Sequence, residues 1–205
     1  MIIVDIEKNL KAFGGLQSIR IKKEFAPGSI TRITGPSGVG KTTFLKMLAG
    51  LITPDAGSIT VSGETWFNAS ARINLSPQKR RPGFIFQDYA LFPNMTALQH
   101  LQYATDDSAW IERLLKIGKL ETFSDHNPSH LSGGQQQRLA TLRALAIKPK
   151  LLLMDEPFSA LDSKMKTELI SDLQNVVTEL GATTLIVSHN PQELDGISTD
   201  ELVVG

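Results

Sequence analysis

The stretch from Ser29 to Gly50 leaves this chain few folds to choose from. It reads SITRIT, then GPSGVGKT, then TFLKMLAG. That is a β-branched run, a glycine-rich turn ending in Lys41 and Thr42, and an apolar-periodic helix stopped near Gly50 and Pro54. Strand, G-x-x-x-x-G-K-[ST], helix is the setting in which such a loop wraps a phosphate. Glycines let successive N–H groups turn inward on phosphate oxygens, and the helix N-terminus adds a favourable partial charge. Gly35, Pro36, Ser37, Gly38, Val39, Gly40, Lys41, Thr42 and Thr43 are therefore candidate nucleotide contacts. Lys41 would reach the β- and γ-phosphates, and the Thr42 hydroxyl would hold Mg²⁺.

A second chemical feature is LLLMDEP, residues Leu151 to Pro157. Four apolar residues in a row suit a strand covered on both faces. In open α/β sheets, ligands gather at the carboxyl ends of strands. Asp155 is then placed to hold Mg²⁺, directly or through water, and Glu156 to polarise an attacking water. The alternative is a solvated acidic turn capping the next element.

The flanking pattern agrees with an α/β fold. Helix Gln135–Ile147, strand Leu151–Met154, helix Ser163–Leu180 and strand Thr183–Val187 alternate, which predicts βαβ units and a mostly parallel core sheet. Strands are expected at Met1–Ile6, Ser18–Phe25, Ser29–Thr34 and Gly57–Ser62, and helical structure at Ala97–Asn127. The length suits a single domain, residues 1–205.

Lys plus Arg equals Asp plus Glu at 21 each, so net charge gives no reason to expect nucleic acid or a membrane surface as main partner. With no Cys, disulfides, thiolate metal sites and a Cys nucleophile are excluded. No apolar run approaches the ~20 residues that span a bilayer. The opening MIIVDIEKNLK reads as a strand broken by acids rather than a secretory signal. A membrane role would have to come through a partner. Gln78–Arg81 (QKRR) reads as a solvated basic run, and His100, His126 and His130 as surface or packing residues.

A second anion grip stands far from the first: LSGGQQQR, Leu131 to Arg138, with Ser132 before a Gly-Gly pair at a helix start. Gln87 in FIFQDYALFP, SALD at Ser159 to Asp162 and His189 in LIVSHN complete an ordered set. With these motifs the chain resembles ABC-type ATPases, the nucleotide-binding subunits of ATP-binding-cassette systems, over almost its whole length.

That resemblance implies a P-loop NTPase fold with an N-terminal antiparallel β subdomain. A helical subdomain, about residues 88–140, would carry the signature LSGGQ between Gln87 and Asp155. It implies ATP and Mg²⁺ as cofactors and ATP hydrolysis as the activity, with Glu156, His189 and Gln87 as catalytic residues. Thr42, Gln87 and Asp155 would be the metal contacts, and His189 would hydrogen-bond the γ-phosphate. Phe13, 28 residues before Lys41, would stack on adenine or else be a core residue. Ser132, Gly133, Gly134 and Gln135 would close over the ATP of a second copy in a head-to-tail pair. Asn190, His100 and Thr141 depart from the common pattern, and none is an implied phosphate or metal ligand.

The stretches KRRPGFI and FQDYALFPNMT are most similar to the importer branch, and within it to molybdate-type oxyanion importers. The implied partners are a second copy, integral-membrane permease subunits and a solute-binding protein, with no nucleic acid. The implied place is the cytoplasmic face of the cell membrane. Leu91, Phe92 and Met95 are expected to be exposed in a loop, either receiving a permease helix or plugging the helical subdomain. A cassette of the cell-division type, signalling through a membrane partner, is the competing reading. With 16 residues given after His189, no regulatory β domain is expected within this sequence.

Overall fold

Two sheets, one antiparallel and one parallel, sandwich the helix that follows the phosphate loop. A computed structural model of the chain describes residues 1–12, 15–159, 161–188 and 190–205. The antiparallel sheet is built from β1 (Ile2–Ala12), β2 (Gly15–Phe25), β4 (Ala56–Val61), β5 (Glu64–Asn68) and β6 (Ile73–Asn74), in the order β2-β1-β4-β5-β6. Strict alternation drives it: Ile2, Val4 and Ile6 of β1 and Ile19, Ile21 and Phe25 of β2 are buried. The β1–β2 register is fixed from Ile2 opposite Phe25 to Ala12 opposite Gly15.

The parallel sheet contains β3 (Ile30–Thr34), β7 (Gly83–Ile85), β8 (Leu151–Asp155), β9 (Thr183–Val187) and β10 (Asp200–Val203), in the order β10-β3-β9-β8-β7. Every residue of β8 and β9 is buried. Their side chains divide between two cores, as the pleat requires. Leu151, Leu153 and Leu185 join the core containing the antiparallel sheet and α1 (Lys41–Ala49). Leu152, Met154 and Ile186 join the core made by α3 (Ala97–Gln102), α4 (Ser108–Gly118), α5 (Gly133–Ala146) and α6 (Ser163–Leu180).

The helices start where their sequences supply caps. Thr96 with Gln99, and Ser132 with Gln135, form reciprocal capping boxes on α3 and α5. Asp107 and Asp162 cap α4 and α6, and Gly181 ends α6 at φ 60°. Among the described residues, no helix is long and apolar enough to cross a membrane.

The expected parallel and antiparallel sheets are present, and α6 and β9 fall on their expected bounds. The region expected to be helical over Ala97–Asn127 is broken into α3, α4 and one 3₁₀ turn, Glu121–Phe123. The expected solvated run at 78–81 is overturned at one position. A short helix, α2 (Pro77–Arg80), turns Arg80 inward to 4% exposure. Its guanidinium donates to the carbonyls of Met47 (2.8 Å), Leu48 (2.9 Å), Leu75 (2.9 Å) and Trp66 (3.3 Å), and to Asn74 Oδ1 (2.9 Å). The carbonyls of Met47 and Leu48 belong to the last turn of α1, whose C-terminal groups need such a donor.

Candidate functional site

The loop between β3 and α1 is shaped by backbone that other residues resist. Gly35 and Gly40 have φ 140° and 105°. A Cβ at Gly35 would stand 2.1 Å from the Val204 carbonyl oxygen, and one at Gly40 would stand 1.9 Å from Ile19 Cδ1. The loop thus runs flush against Val204, just past β10, on one side and β2 on the other. Val39 is buried in the core beneath it. Lys41 is 8% exposed, and its ammonium donates to the carbonyls of Gly35 (2.7 Å) and Pro36 (2.9 Å).

One cavity of about 320 Å³ gathers half of the site residues singled out from the sequence. Ser37, Gly38, Gly40, Lys41, Thr42 and Thr43 line one side, and Gln87, Asp155 and Glu156 the other. Asp155 and Glu156 are 3% and 7% exposed, which removes the reading of a solvated acidic turn. Glu156 takes φ 53°, a left-handed backbone rare for a side-chain-bearing residue. Its N–H donates to the Val187 carbonyl at 3.0 Å, and its own carbonyl accepts from the Ser159 hydroxyl at 3.2 Å. This turn stops β8 and sets the second acid over the cavity rather than into the sheet. Leu10 and Val187 also line the cavity and were missed in the sequence. Val187 could have been found as the carboxyl end of a buried parallel strand; Leu10 carried no such pattern.

Ser132, Gly133, Gly134 and Gln135 are not brought into this cavity. They form the start of α5, where Ser132 and Gly133 are exposed. The Ser132 hydroxyl accepts from the Gln135 N–H (3.3 Å), and Gln135 Oε1 accepts from the Ser132 N–H (2.8 Å). Phe13 and His189, the expected adenine and γ-phosphate contacts, lie outside the described residues. Thr141 is buried on α5 and back-bonds to the Gln137 carbonyl at 3.0 Å, filling its place without touching the cavity.

The segment after Gln87 is held from two sides. Tyr89 and Ala90 have φ 62° and 45°, and both carbonyls accept from Arg143 of α5, at 3.0 and 2.5 Å. From α3, fully buried His100 accepts the Phe92 N–H on Nε2 at 2.9 Å, while Nδ1 lies 2.7 Å from the Thr96 carbonyl. That pattern requires a neutral ring with the proton on Nδ1. Desolvation pulls the His100 pKa below its ordinary 6.5, and the Arg143 charge adds to this, against the Thr96 bond. A depressed folded-state pKa means the stability is present above pH 6.5 and lost as pH falls towards the folded pKa. The melting temperature is expected to drop on acidification from about pH 7.5 to about pH 5.5, and to drop less in His100→Asn. Equal drops would show that His100 does not carry the effect.

The match to known proteins covers the same residues. Residues 19–159 match the family described as ABC transporter. The sulfate/thiosulfate import ATP-binding protein CysA of Mesostigma viride is 43% identical over 208 residues, covering 97% of this chain and 58% of that protein. A probable sulfate/thiosulfate import ATP-binding protein CysA of Chlorella vulgaris is 41% identical over 197 residues, covering 92% of this chain and 81% of that protein. The chain thus spans less than two thirds of the Mesostigma relative. The dimeric structure of MJ0796, a bacterial ABC transporter cassette, superposes with a TM-score of 0.76 at 31% identity. That superposition covers 94% of this chain and 90% of the other. Since most of its length matches the family and its fold is that of a solved cassette, the chain belongs to the ABC transporter family.

Proposed function

We propose that the chain binds and hydrolyses ATP as the nucleotide-binding subunit of a membrane importer. The observation that carries this reading is the single cavity shared by the phosphate loop, Gln87, Asp155 and Glu156. The loop amides and Lys41 cradle the triphosphate, and α1 points its positive end at it. The hydroxyl of Thr42, the amide oxygen of Gln87 and the carboxylate of Asp155 form an all-oxygen donor set that fits Mg²⁺. Among the described residues there is no cluster of three His, Cys, Asp or Glu for a metal, which suits an ion that also relies on phosphates and water. When bound, Mg²⁺ would neutralise charge on the β- and γ-phosphates. Glu156 orients and polarises the attacking water as general base, and His189 hydrogen-bonds the γ-phosphate. Phe13 stacks on the adenine.

We place Ser132, Gly133, Gly134 and Gln135 of a second copy over the nucleotide, each α5 start completing the other chain's site. The dimeric MJ0796 cassette supports this arrangement. The importer reading rests on the import proteins named above, which also weigh against the cell-division type. For cargo we propose a tetrahedral oxyanion. The two relatives are named for sulfate and thiosulfate, so the molybdate assignment drawn from the sequence has no support from them.

Permease subunits on the cytoplasmic face of the cell membrane, with a solute-binding protein, are the proposed partners. Their docking place is an apolar groove of about 450 Å³ lined by Phe84, Phe86, Ala90, Phe92, Tyr103 and Ile147. Phe92 and Tyr103 are 39% and 71% exposed, whereas Leu91 and Met95, expected to be exposed, are half-buried. Phe92→Asp is expected to abolish co-purification with the permease while leaving nucleotide binding intact. Undiminished assembly would reject the groove as the docking place.

A further inference from the structure

At the opposite end of β8 from Asp155 and Glu156 lies a cavity of about 340 Å³, which nucleotide binding does not use. It opens where α2, the β4–β5 turn and the segment before β8 meet. Five cations line it, Lys79, Arg80, Arg81, Lys148 and Lys150, against one acid, Glu64. The whole chain carries 21 residues of each sign, so the imbalance is local.

Apart from that of Lys148, the charges are not compensated nearby. Glu64 already accepts from Trp66 Nε1 at 3.2 Å, and Lys148 reaches Asp107 at 2.9 Å. Among the described residues, no carboxylate lies within ion-pair distance of Lys79, Arg80, Arg81 or Lys150. Arg80 donates only to neutral oxygens, so the wall of the cavity holds a buried positive charge. Cations lining a recess of low dielectric focus their field into it.

Helix ends alone do not account for the cluster. Helix C-termini attract cations, and Arg80 does close the last turn of α1. Lys148, just beyond α5, instead donates to Asp107. Arg81 and Lys148 both hold φ 48°, a backbone that glycine would adopt more cheaply, yet both keep charged side chains there.

We propose that this cavity binds a phosphate group, borne by a free phosphorylated small molecule or by a phospholipid headgroup. A dianionic phosphate answers the excess positive charge. The planar fork of Arg81 suits two phosphate oxygens, while the lysine ammoniums serve as point charges. The site is separate from the phosphate loop.

The test uses the full chain with excess ADP in every sample, which keeps the phosphate loop occupied. Inorganic pyrophosphate is titrated and backbone amide shifts are followed by NMR. Saturable shifts are expected at Ile147, Lys148 and Lys150 and at residues 62–66. Lys79→Glu combined with Lys150→Glu, both exposed positions, is expected to weaken them at least about tenfold while leaving ATP turnover unchanged. A second arm floats the chain with phosphatidylglycerol or phosphatidylcholine vesicles. Binding to phosphatidylglycerol alone, lost in the double variant, assigns a lipid headgroup; pyrophosphate shifts without vesicle binding assign a free ligand. Absence of both effects, or their persistence in the double variant, overturns the proposal.

Discussion

Glu156→Gln is expected to bind ATP normally and to lose hydrolysis by ~10²–10⁴-fold, the usual share of a general base. The change keeps size and hydrogen-bonding capacity, so the turn at φ 53° and the Val187 bond should survive. What disappears is the ability to take a proton from water. Asp155, the last residue of β8, lines the same cavity but is proposed for the metal. Asp155→Asn should therefore weaken Mg²⁺-dependent binding as well as turnover, whereas Glu156→Gln should affect turnover alone. Single-turnover kinetics and nucleotide titration separate the two. Near-normal turnover in Glu156→Gln would refute its assignment as base.

The largest effect on stability is expected at Arg80, far from the chemistry. Arg80→Ala removes donors from four carbonyls and one amide oxygen at once, in a place that water reaches poorly. Bonds to a charged donor are worth ~1.5–3 kcal/mol, and each stranded buried acceptor adds a desolvation cost. A loss of about 3–5 kcal/mol is expected, which lowers the melting temperature of a chain this size by roughly 6–20 °C. Arg80→Lys should recover little, because one ammonium cannot reach carbonyls of α1, the β6–α2 segment and β5 together. Thermal unfolding decides the matter. A change no larger than that of exposed Lys79→Ala would show that the Arg80 network contributes little. The link to function is direct: Arg80 closes the far end of the helix whose first turn carries Lys41 and Thr42.

The features legible in the sequence were those with short-range grammar. The phosphate loop and the acids after LLLM are each written within a few residues. Their neighbourhoods emerged where expected. Gly83–Ile85 and Asp200–Val203 were not legible as strands, because three or four residues show no periodicity and parallel partners lie far along the chain. α5 starts at Gly133, two residues before its expected start. Glycine has poor intrinsic helix propensity, yet the Ser132–Gln135 capping box stabilises that first turn. Arg80 was hidden for another reason: Lys79, Arg80 and Arg81 look alike in a row, and only tertiary contacts with α1 choose which one is buried. Leu10 reaches the cavity through the length of β1, which runs to Ala12 instead of stopping at Ile6.

We propose that the second phosphate-type grip, at Ser132, stands outside its own chain's cavity because it serves the other chain's nucleotide. Light scattering of Glu156→Gln with and without MgATP tests this most directly. Mass is expected to double from 22.4 kDa when MgATP is added, and to stay single when Ser132→Arg is combined with Glu156→Gln. A Glu156→Gln chain that binds MgATP and remains monomeric at all concentrations would contradict the two-chain site.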